Sequence, residues 1–173
     1  MNKHVFITGG AGFIGSCLAE SLLKQGHKVT SFDNFNDFYD PKIKRENINR
    51  LSFYEGFNSI EGDIRNIDRL NQVFETHFDI VVHLAAMAGV RPSIEDPRLY
   101  YDVNINGTYN ILDVSAKIKP EKVILASSSS VYGNNEKVPF AETDNVDFPI
   151  SPYAATKKMN EIMAYNFYHL HKV

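Results

Sequence analysis

Seven residues near the start of the chain, Gly9-Gly10-Ala11-Gly12-Phe13-Ile14-Gly15, restrict the possible fold more than any other stretch. They separate a short apolar run, His4-Val-Phe-Ile-Thr8, from an amphipathic segment running from Phe13 to Gln25, which Gly26 ends. A strand that stops in a glycine turn and restarts as a helix is the opening of a βαβ unit. The spacing fits G-x-G-x-x-G through Gly10, Gly12 and Gly15, and G-x-x-G-x-x-G through Gly9, Gly12 and Gly15. The chemistry of such a loop is that of bare backbone. No Cβ blocks the approach of a pyrophosphate, and the helix N-terminus offers free N–H groups and a partial positive charge.

A glycine motif becomes informative through its surroundings: a strand before it, a helix after it, and an acid at the end of the next strand. Lys28-Val-Thr-Ser-Phe-Asp33 supplies that strand and that acid, 18 positions beyond Gly15. A carboxylate at Asp33 can accept from both hydroxyls of an adenosine ribose. It would repel a 2′-phosphate, which favours NAD over NADP. The competing reading of Asp33-Asn34 is a turn or helix cap.

The same alternation continues. Pro41 opens a short helix to about Leu51, and Phe57–Glu61 reads as the third strand. A helix over 66–76 and a strand over Asp79–His83 follow, then a long helix from Pro97 to Ile118 that Pro120 stops. Lys122–Ala126 is the fifth strand, Tyr132–Ile150 a long loop, and a last helix starts near Ser151. Repeated strand–helix–strand units predict an α/β fold, a doubly wound parallel sheet of the Rossmann type in the order 3-2-1-4-5. Strand C-termini line the crevice in that architecture. Asp63 and Ile64 after the third strand are therefore candidates for the adenine ring, and Leu84-Ala85-Ala86 after the fourth lets a cofactor lie close to the backbone. His83 reads as a satisfied core histidine rather than a catalytic one.

Composition sets limits. A net charge of −3 provides no basic field for nucleic acid or an anionic membrane. Any phosphate must be held by local geometry. Cys17 is the only cysteine, which excludes an internal disulfide and a thiolate metal cluster and suits a reducing cytoplasm. The six histidines show no metal-ligand spacing, and no apolar run approaches a membrane span. No metal, membrane or nucleic-acid partner is expected.

Tyr153-Ala-Ala-Thr-Lys157 places a phenol and an ammonium on one helix face, about 5–6 Å apart at Cβ. A tyrosine is an ordinary acid of pKa near 10 and a poor base at neutral pH. Bringing it down to neutrality takes about 4 kcal/mol of differential stabilisation, which a desolvated cation and a positive nicotinamide ring can supply. The phenolate could then take a proton from a sugar hydroxyl. Alone, this pair is usually a solvated helix face. Ser127-Ser-Ser-Ser130, directly after the fifth strand, reads either as a polar turn or as hydroxyls at the crevice rim.

Taken together, the Gly9–Gly15 loop, Asp33, Asp63, Leu84–Ala86, Ser127–Gly133 and Ser151–Lys157 resemble the extended short-chain dehydrogenase/reductases of the NAD-dependent epimerase/dehydratase family that act on nucleotide sugars. The resemblance covers essentially the whole chain. It implies NAD as cofactor, with Gly9, Gly12, Phe13, Ile14, Gly15, Asp33, Asn34, Asp63, Ile64, Leu84, Ala85, Ala86, Tyr153 and Lys157 around it. It implies a catalytic hydroxyl 25 residues before the tyrosine, at Ser128, with Tyr153 as base and Lys157 as its partner. Asp33–Pro41 and Ala88-Gly-Val-Arg-Pro-Ser93 resemble the UDP-glucuronate 4-epimerase branch. Arg91 there is either a solvated loop arginine or a partner for a phosphate or sugar carboxylate, and Ser129 is a second substrate candidate. Dehydratases of the family carry an Asp-Glu pair after the catalytic hydroxyl, and decarboxylating relatives a glutamate two positions after it. Here those places hold Ser129 and Ser130, which leaves oxidation at C4 and hydride return to the opposite face.

Family members are about twice as long. The resemblance therefore implies that residues 1–173 are the NAD-binding domain of a cytoplasmic nucleotide-sugar 4-epimerase without its C-terminal substrate domain. Such a chain is expected to bind NAD weakly and to lack turnover. It is expected to self-associate through the fifth-strand edge or through helices Pro97–Ile118 and Ser151–Val173, which resemble the homodimer contacts of the family. A dehydratase or decarboxylase of the same family and a non-catalytic NAD-binding module are the alternatives.

Overall fold

The computed structural model describes residues 2–173. Its strands are β1 (His4–Thr8), β2 (Lys28–Asp33), β3 (Phe57–Glu61), β4 (Ile80–His83) and β5 (Lys122–Leu125). Its α-helices are α1 (Phe13–Lys24), α2 (Pro41–Leu51), α3 (Ile67–Val73), α4 (Val90–Glu95), α5 (Pro97–Tyr101), α6 (Gly107–Ile118) and α7 (Pro152–His171). The strands form one parallel sheet in the order β3-β2-β1-β4-β5, as the alternation of elements predicts. Its register pairs Thr8 with both Phe32 and His83, so the C-terminal ends of the three central strands finish level.

The sheet is covered on both faces, which is why its central strands read as continuous apolar runs. Val5 and Ile7 of β1 pack on one face with Ala19, Leu23, Val29 and Leu51. Phe6 packs on the other with Phe32, Leu70, Phe74, Phe78 and Ile111. Its ring lies 4.9 Å from both Phe74 and Phe78, and the edge-to-face contact with Phe74 is a favoured aromatic arrangement. Side chains cap most helices: Asp40 accepts from Lys42 N, Asn66 from Arg69 N, Asp96 from Leu99 N and Ser151 from Ala154 N.

The structure departs from the sequence expectations in three places. The helix expected over Pro97–Ile118 is interrupted by a π-helical turn, Asp102–Asn106, in which Gly107 N–H reaches back to Asp102 O. The wider turn accompanies two close contacts. Asn104 is fully buried and uses its side chain on the backbone of Met87, and Gly107 lies so near Ile64 that a Cβ would fall 2.4 Å from Ile64 Cδ1. The stretch holding Arg91 is a short helix, α4, rather than a loop. A 3-10 turn, Ser129–Tyr132, opens the long connection before α7, with Ser128 as its cap.

The glycine turn is closed by contact between backbones. A Cβ on Gly15 would lie 2.2 Å from Gly9 O and 2.7 Å from Gly10 Cα, neither of which can swing aside as a side chain can. Gly15→Ala is therefore expected to lower the unfolding free energy by at least about 1–3 kcal/mol, measured by urea denaturation.

Candidate active site

The level ends of β1, β2 and β4 open onto a cleft whose floor is Gly9, Gly12 and Leu84–Ala86 and whose walls include Asp33, Asn34, Tyr39, Lys44, Ile64 and Val103. Gly12 is less tightly enclosed than Gly9 or Gly15. A Cβ there would press on Gly9 O at 3.2 Å, a crowding of a few tenths of an ångström rather than an outright clash, and would stand in the cleft 3.7 Å from the Tyr39 hydroxyl. Gly12 is also the N-cap of α1. It offers no capping side chain, and no acid stands in the first helical turn. The free N–H groups and positive end of a 12-residue helix thus face a space kept clear of side chains, which is the physical requirement for seating a pyrophosphate. Phe13 and Ile14 are the first two residues of this helix and carry two of its free N–H groups, while the residues themselves are 80% and 67% exposed.

The floor is fixed from below by a buried chain of hydrogen bonds. Thr8 Oγ1 accepts from Leu84 N at 3.2 Å and from Ala85 N at 3.1 Å. With both lone pairs used, its hydroxyl donates to His83 Nδ1, 2.7 Å away. His83 then carries its proton on Nε2 and donates to Thr108 Oγ1 at 2.9 Å. Burial pushes the His83 imidazole down to about 3, so it stays neutral in this role.

Asp33 stands at the C-terminal end of β2, on the wall of the cleft. Its carboxylate accepts from Ala11 N at 3.2 Å and Phe35 N at 2.9 Å, which ties the end of β2 to the glycine turn. Asn47 of α2 holds the same turn through Ala11 O at 2.9 Å. Asp63 is differently placed. Its two oxygens accept from Arg65 Nε at 3.0 Å, Arg65 Nη2 at 2.8 Å, Arg65 N at 2.9 Å and Asn34 Nδ2 at 2.9 Å. That hydrogen bonding with Arg65 holds the carboxyl down at about 2. Asp63 does not line the cleft, whereas Ile64 beside it does.

On the other side, α7 brings Tyr153 and Lys157 against the end of β5. Lys157 is 5% exposed, and its ammonium donates to Ala126 O at 2.9 Å and lies 6.0 Å from the Tyr153 ring. Burial lowers its pKa to about 8. Ser128, two residues beyond Ala126, is half-buried, and its Oγ accepts from Ser130 N at 3.2 Å. The structure therefore gathers the serine run, Tyr153 and Lys157 at one rim of the sheet. Arg91 is exposed on α4, and Ser129 is exposed at the start of the 3-10 turn.

Comparison with known proteins rests on this geometry. The family model for GDP-mannose 4,6-dehydratase matches residues 6–173. The chain belongs to that family of NAD-dependent epimerases and dehydratases. Protein CapI of Staphylococcus aureus is 48% identical over 170 residues, which cover 98% of this chain and 51% of CapI. A UDP-glucuronate 4-epimerase of Thermodesulfobacterium geofontis is 45% identical over 169 residues, covering 97% of this chain and 52% of that protein. The structure of UDP-glucuronic acid 4-epimerase from Bacillus cereus, solved with UDP-glucuronic acid and NAD, superposes with a TM-score of 0.88 at 34% identity, covering 98% of this chain and 54% of that one. The chain thus spans about half the length of the relatives it matches.

Within this family member, several site-shaping residues are invisible to motif reading. Lys44, on the wall of the cleft, comes from α2. Asn104 accepts from Met87 N at 2.8 Å and donates to Thr156 Oγ1 at 3.0 Å, linking the π turn to the Tyr153 helix. Tyr100 packs edge-on against Tyr153, with ring centres 6.3 Å apart, and donates to Ala88 O at 2.5 Å.

The buried Lys157 generates a pH test. Between about 8 and its ordinary 10.5, the unfolded lysine keeps a proton that the folded one has lost. Stability from this group therefore rises with pH across that window, and the burial penalty is full below it. Thermal unfolding at pH 7 and pH 10 should show wild type gaining on Lys157→Met as pH rises.

Proposed function

We propose that this chain is the NAD-binding half of a nucleotide-sugar 4-epimerase acting on UDP-glucuronate. The observation that carries the reading is the rim at the end of β5. Tyr153 and Lys157 stand beside the serine cap of the 3-10 turn, and the two positions after Ser128 are hydroxyls rather than acids. The acid that Ser127 holds at 2.5 Å, Glu161, lies two turns beyond Tyr153 on α7. Relatives named as UDP-glucuronate 4-epimerases, from Thermodesulfobacterium geofontis and Arabidopsis thaliana among others, support the substrate class.

The cleft fits a dinucleotide. Gly12 leaves open the space a pyrophosphate needs, the bare end of α1 faces it, and Asp33 stands where the adenosine ribose would lie. Bound NAD would supply a two-electron acceptor for C4 of the sugar and give the electrons back within the same cycle. In this reading Tyr153 takes the proton from the C4 hydroxyl, and Ser128 donates a hydrogen bond to the same oxygen. Lys157, seated on Ala126 O, places its ammonium 6.0 Å from the Tyr153 ring, on the side of the site where the proton is taken up. Without an acid at position 129 or 130, there is no group there to protonate a leaving hydroxyl, or to deliver a proton to the carbon left when carbon dioxide departs, so elimination and decarboxylation are disfavoured. Ser129 and Arg91 are the proposed contacts to the sugar nucleotide, Arg91 through a carboxylate or phosphate.

A homodimer belongs to the same reading. Ile162, Tyr165 and Tyr168 form an exposed apolar face on α7, with Tyr101 and Tyr109 exposed on the neighbouring α5 and α6. No described helix is long and apolar enough to cross a membrane. A cytoplasmic location is part of the proposal, in keeping with a single cysteine and a nucleotide-sugar substrate.

The test is incubation of the protein, at the full length its gene encodes, with UDP-glucuronate, followed by NMR. The expected product is the C4 epimer, and a dehydrated or decarboxylated sugar would overturn the assignment. Tyr153→Phe should lower turnover by about 10²–10⁴-fold, the usual worth of general acid–base catalysis. Normal turnover in that variant would instead favour a non-catalytic role for the Tyr153–Lys157 pair.

A further inference from the structure

We infer that Lys44 sets the choice between NAD and NADP jointly with Asp33, as the cation of a latent 2′-phosphate site that the Asp33 carboxylate masks. The inference rests on the reading of the cleft as a dinucleotide site. Asp33 and Lys44 are the two charged residues among those lining it. Lys44 is 6% exposed, so its charge is little screened by water. Two of its three protons are used, on Asn36 Oδ1 at 2.8 Å and Asn36 O at 3.2 Å. The nearest carboxylate oxygen, Asp33 Oδ1, is 3.7 Å away, which is an ion pair but longer than a hydrogen bond. Among the described residues, the third proton thus has no acceptor at hydrogen-bond distance, and the Tyr39 ring lies 5.0 Å from the ammonium.

Asp33 does not depend on Lys44 for its position, because the N–H groups of Ala11 and Phe35 already hold both carboxylate oxygens. The other nearby cations are committed elsewhere. Arg45 lies over the Phe35 ring at 3.6 Å and pairs with Glu61, and Arg65 pairs with Asp63 and Asp102. A phosphate on the adenosine ribose would therefore meet one buried ammonium and one fixed carboxylate. With both present, the carboxylate opposes the phosphate and can serve the free hydroxyls of NAD. With the carboxylate removed, the ammonium is left with an unused proton, and a phosphate monoester supplies the acceptor oxygens and negative charge it lacks.

A purely structural Lys44 would act differently. Its bonds to Asn36 fasten the segment between β2 and α2, and losing that fastening would weaken NAD and NADP alike. The ratio of the two affinities separates the roles. Calorimetric titration of the chain with NAD and with NADP is the experiment, on wild type, Lys44→Met, Asp33→Ser and the double variant. Asp33→Ser should raise the NADP-to-NAD affinity ratio at least tenfold, Lys44→Met alone should lower it, and the double variant should lose the gain. Asp33→Asn, which keeps the side-chain shape, and unfolding midpoints without nucleotide guard against a collapsed glycine turn. If the gain in Asp33→Ser survives removal of Lys44, or Lys44→Met weakens both nucleotides equally, the inference falls while the cofactor reading stands. If folded wild type takes up neither nucleotide, the cofactor reading itself fails and takes the inference with it.

Discussion

Everything at the site depends on how closely the backbone of Gly15 lies against the carbonyl of Gly9. That contact folds the first turn of α1 back onto the end of β1 and leaves the helix end bare. Gly9, at φ 69°, also lies so near the start of Leu84–Ala86 that a Cβ would sit 2.9 Å from Ala85 N. The floor of the cleft is therefore two backbones in contact, one from each side of the sheet's central pair. The hydroxyl of Thr8 and the ring of His83 lock them together from beneath. A polar chain like this is stabilising only because each member finds its partner, and an unpaired one would cost about 1–3 kcal/mol.

Much of this was legible in the sequence because it is local. The glycine spacing, the acid ending β2 and the Tyr153–Lys157 spacing each lie within a short stretch of chain, and the order of elements follows from short segments read one after another. The core role of His83 was readable too, since an apolar strand end seldom holds a charged imidazole. What escaped reading is set by contacts between units. Lys44 is 11 positions from Asp33 and reaches the cleft only because α2 folds back over the glycine turn. Arg65 grips Asp63 from two residues away, a short-range pairing that no periodicity reports. The π turn leaves no compositional mark at all, because its buried positions Tyr100, Val103, Asn104, Gly107 and Thr108 keep an ordinary helical spacing.

The family name and the site chemistry pull in different directions. The matching family model is named for a dehydratase, while several relatives are named as epimerases. A shared fold does not decide between them, because reaction type is set by a few groups grafted onto it. In the proposed reading, the glycine cradle, Tyr153 and Lys157 serve either chemistry. The difference then rests on whether a proton donor follows Ser128, and at that point this chain has Ser129 and Ser130 in a tight turn.

The π turn has one more consequence. A helix that accommodates one surplus residue is out of phase with itself, since each residue in a regular helix advances the side chains by about 100°. The halves on either side of Asp102–Asn106 are thus free to answer to different neighbours. Upstream, α5 sets Tyr100 against Tyr153. Downstream, α6 sets Gly107 against Ile64 and Thr108 beneath His83. Excising one residue from the turn would restore a regular helix and force a choice between the two registers. The irregularity works as a joint that lets one length of chain meet Ile64 at one end of the crevice and Tyr153 at the other.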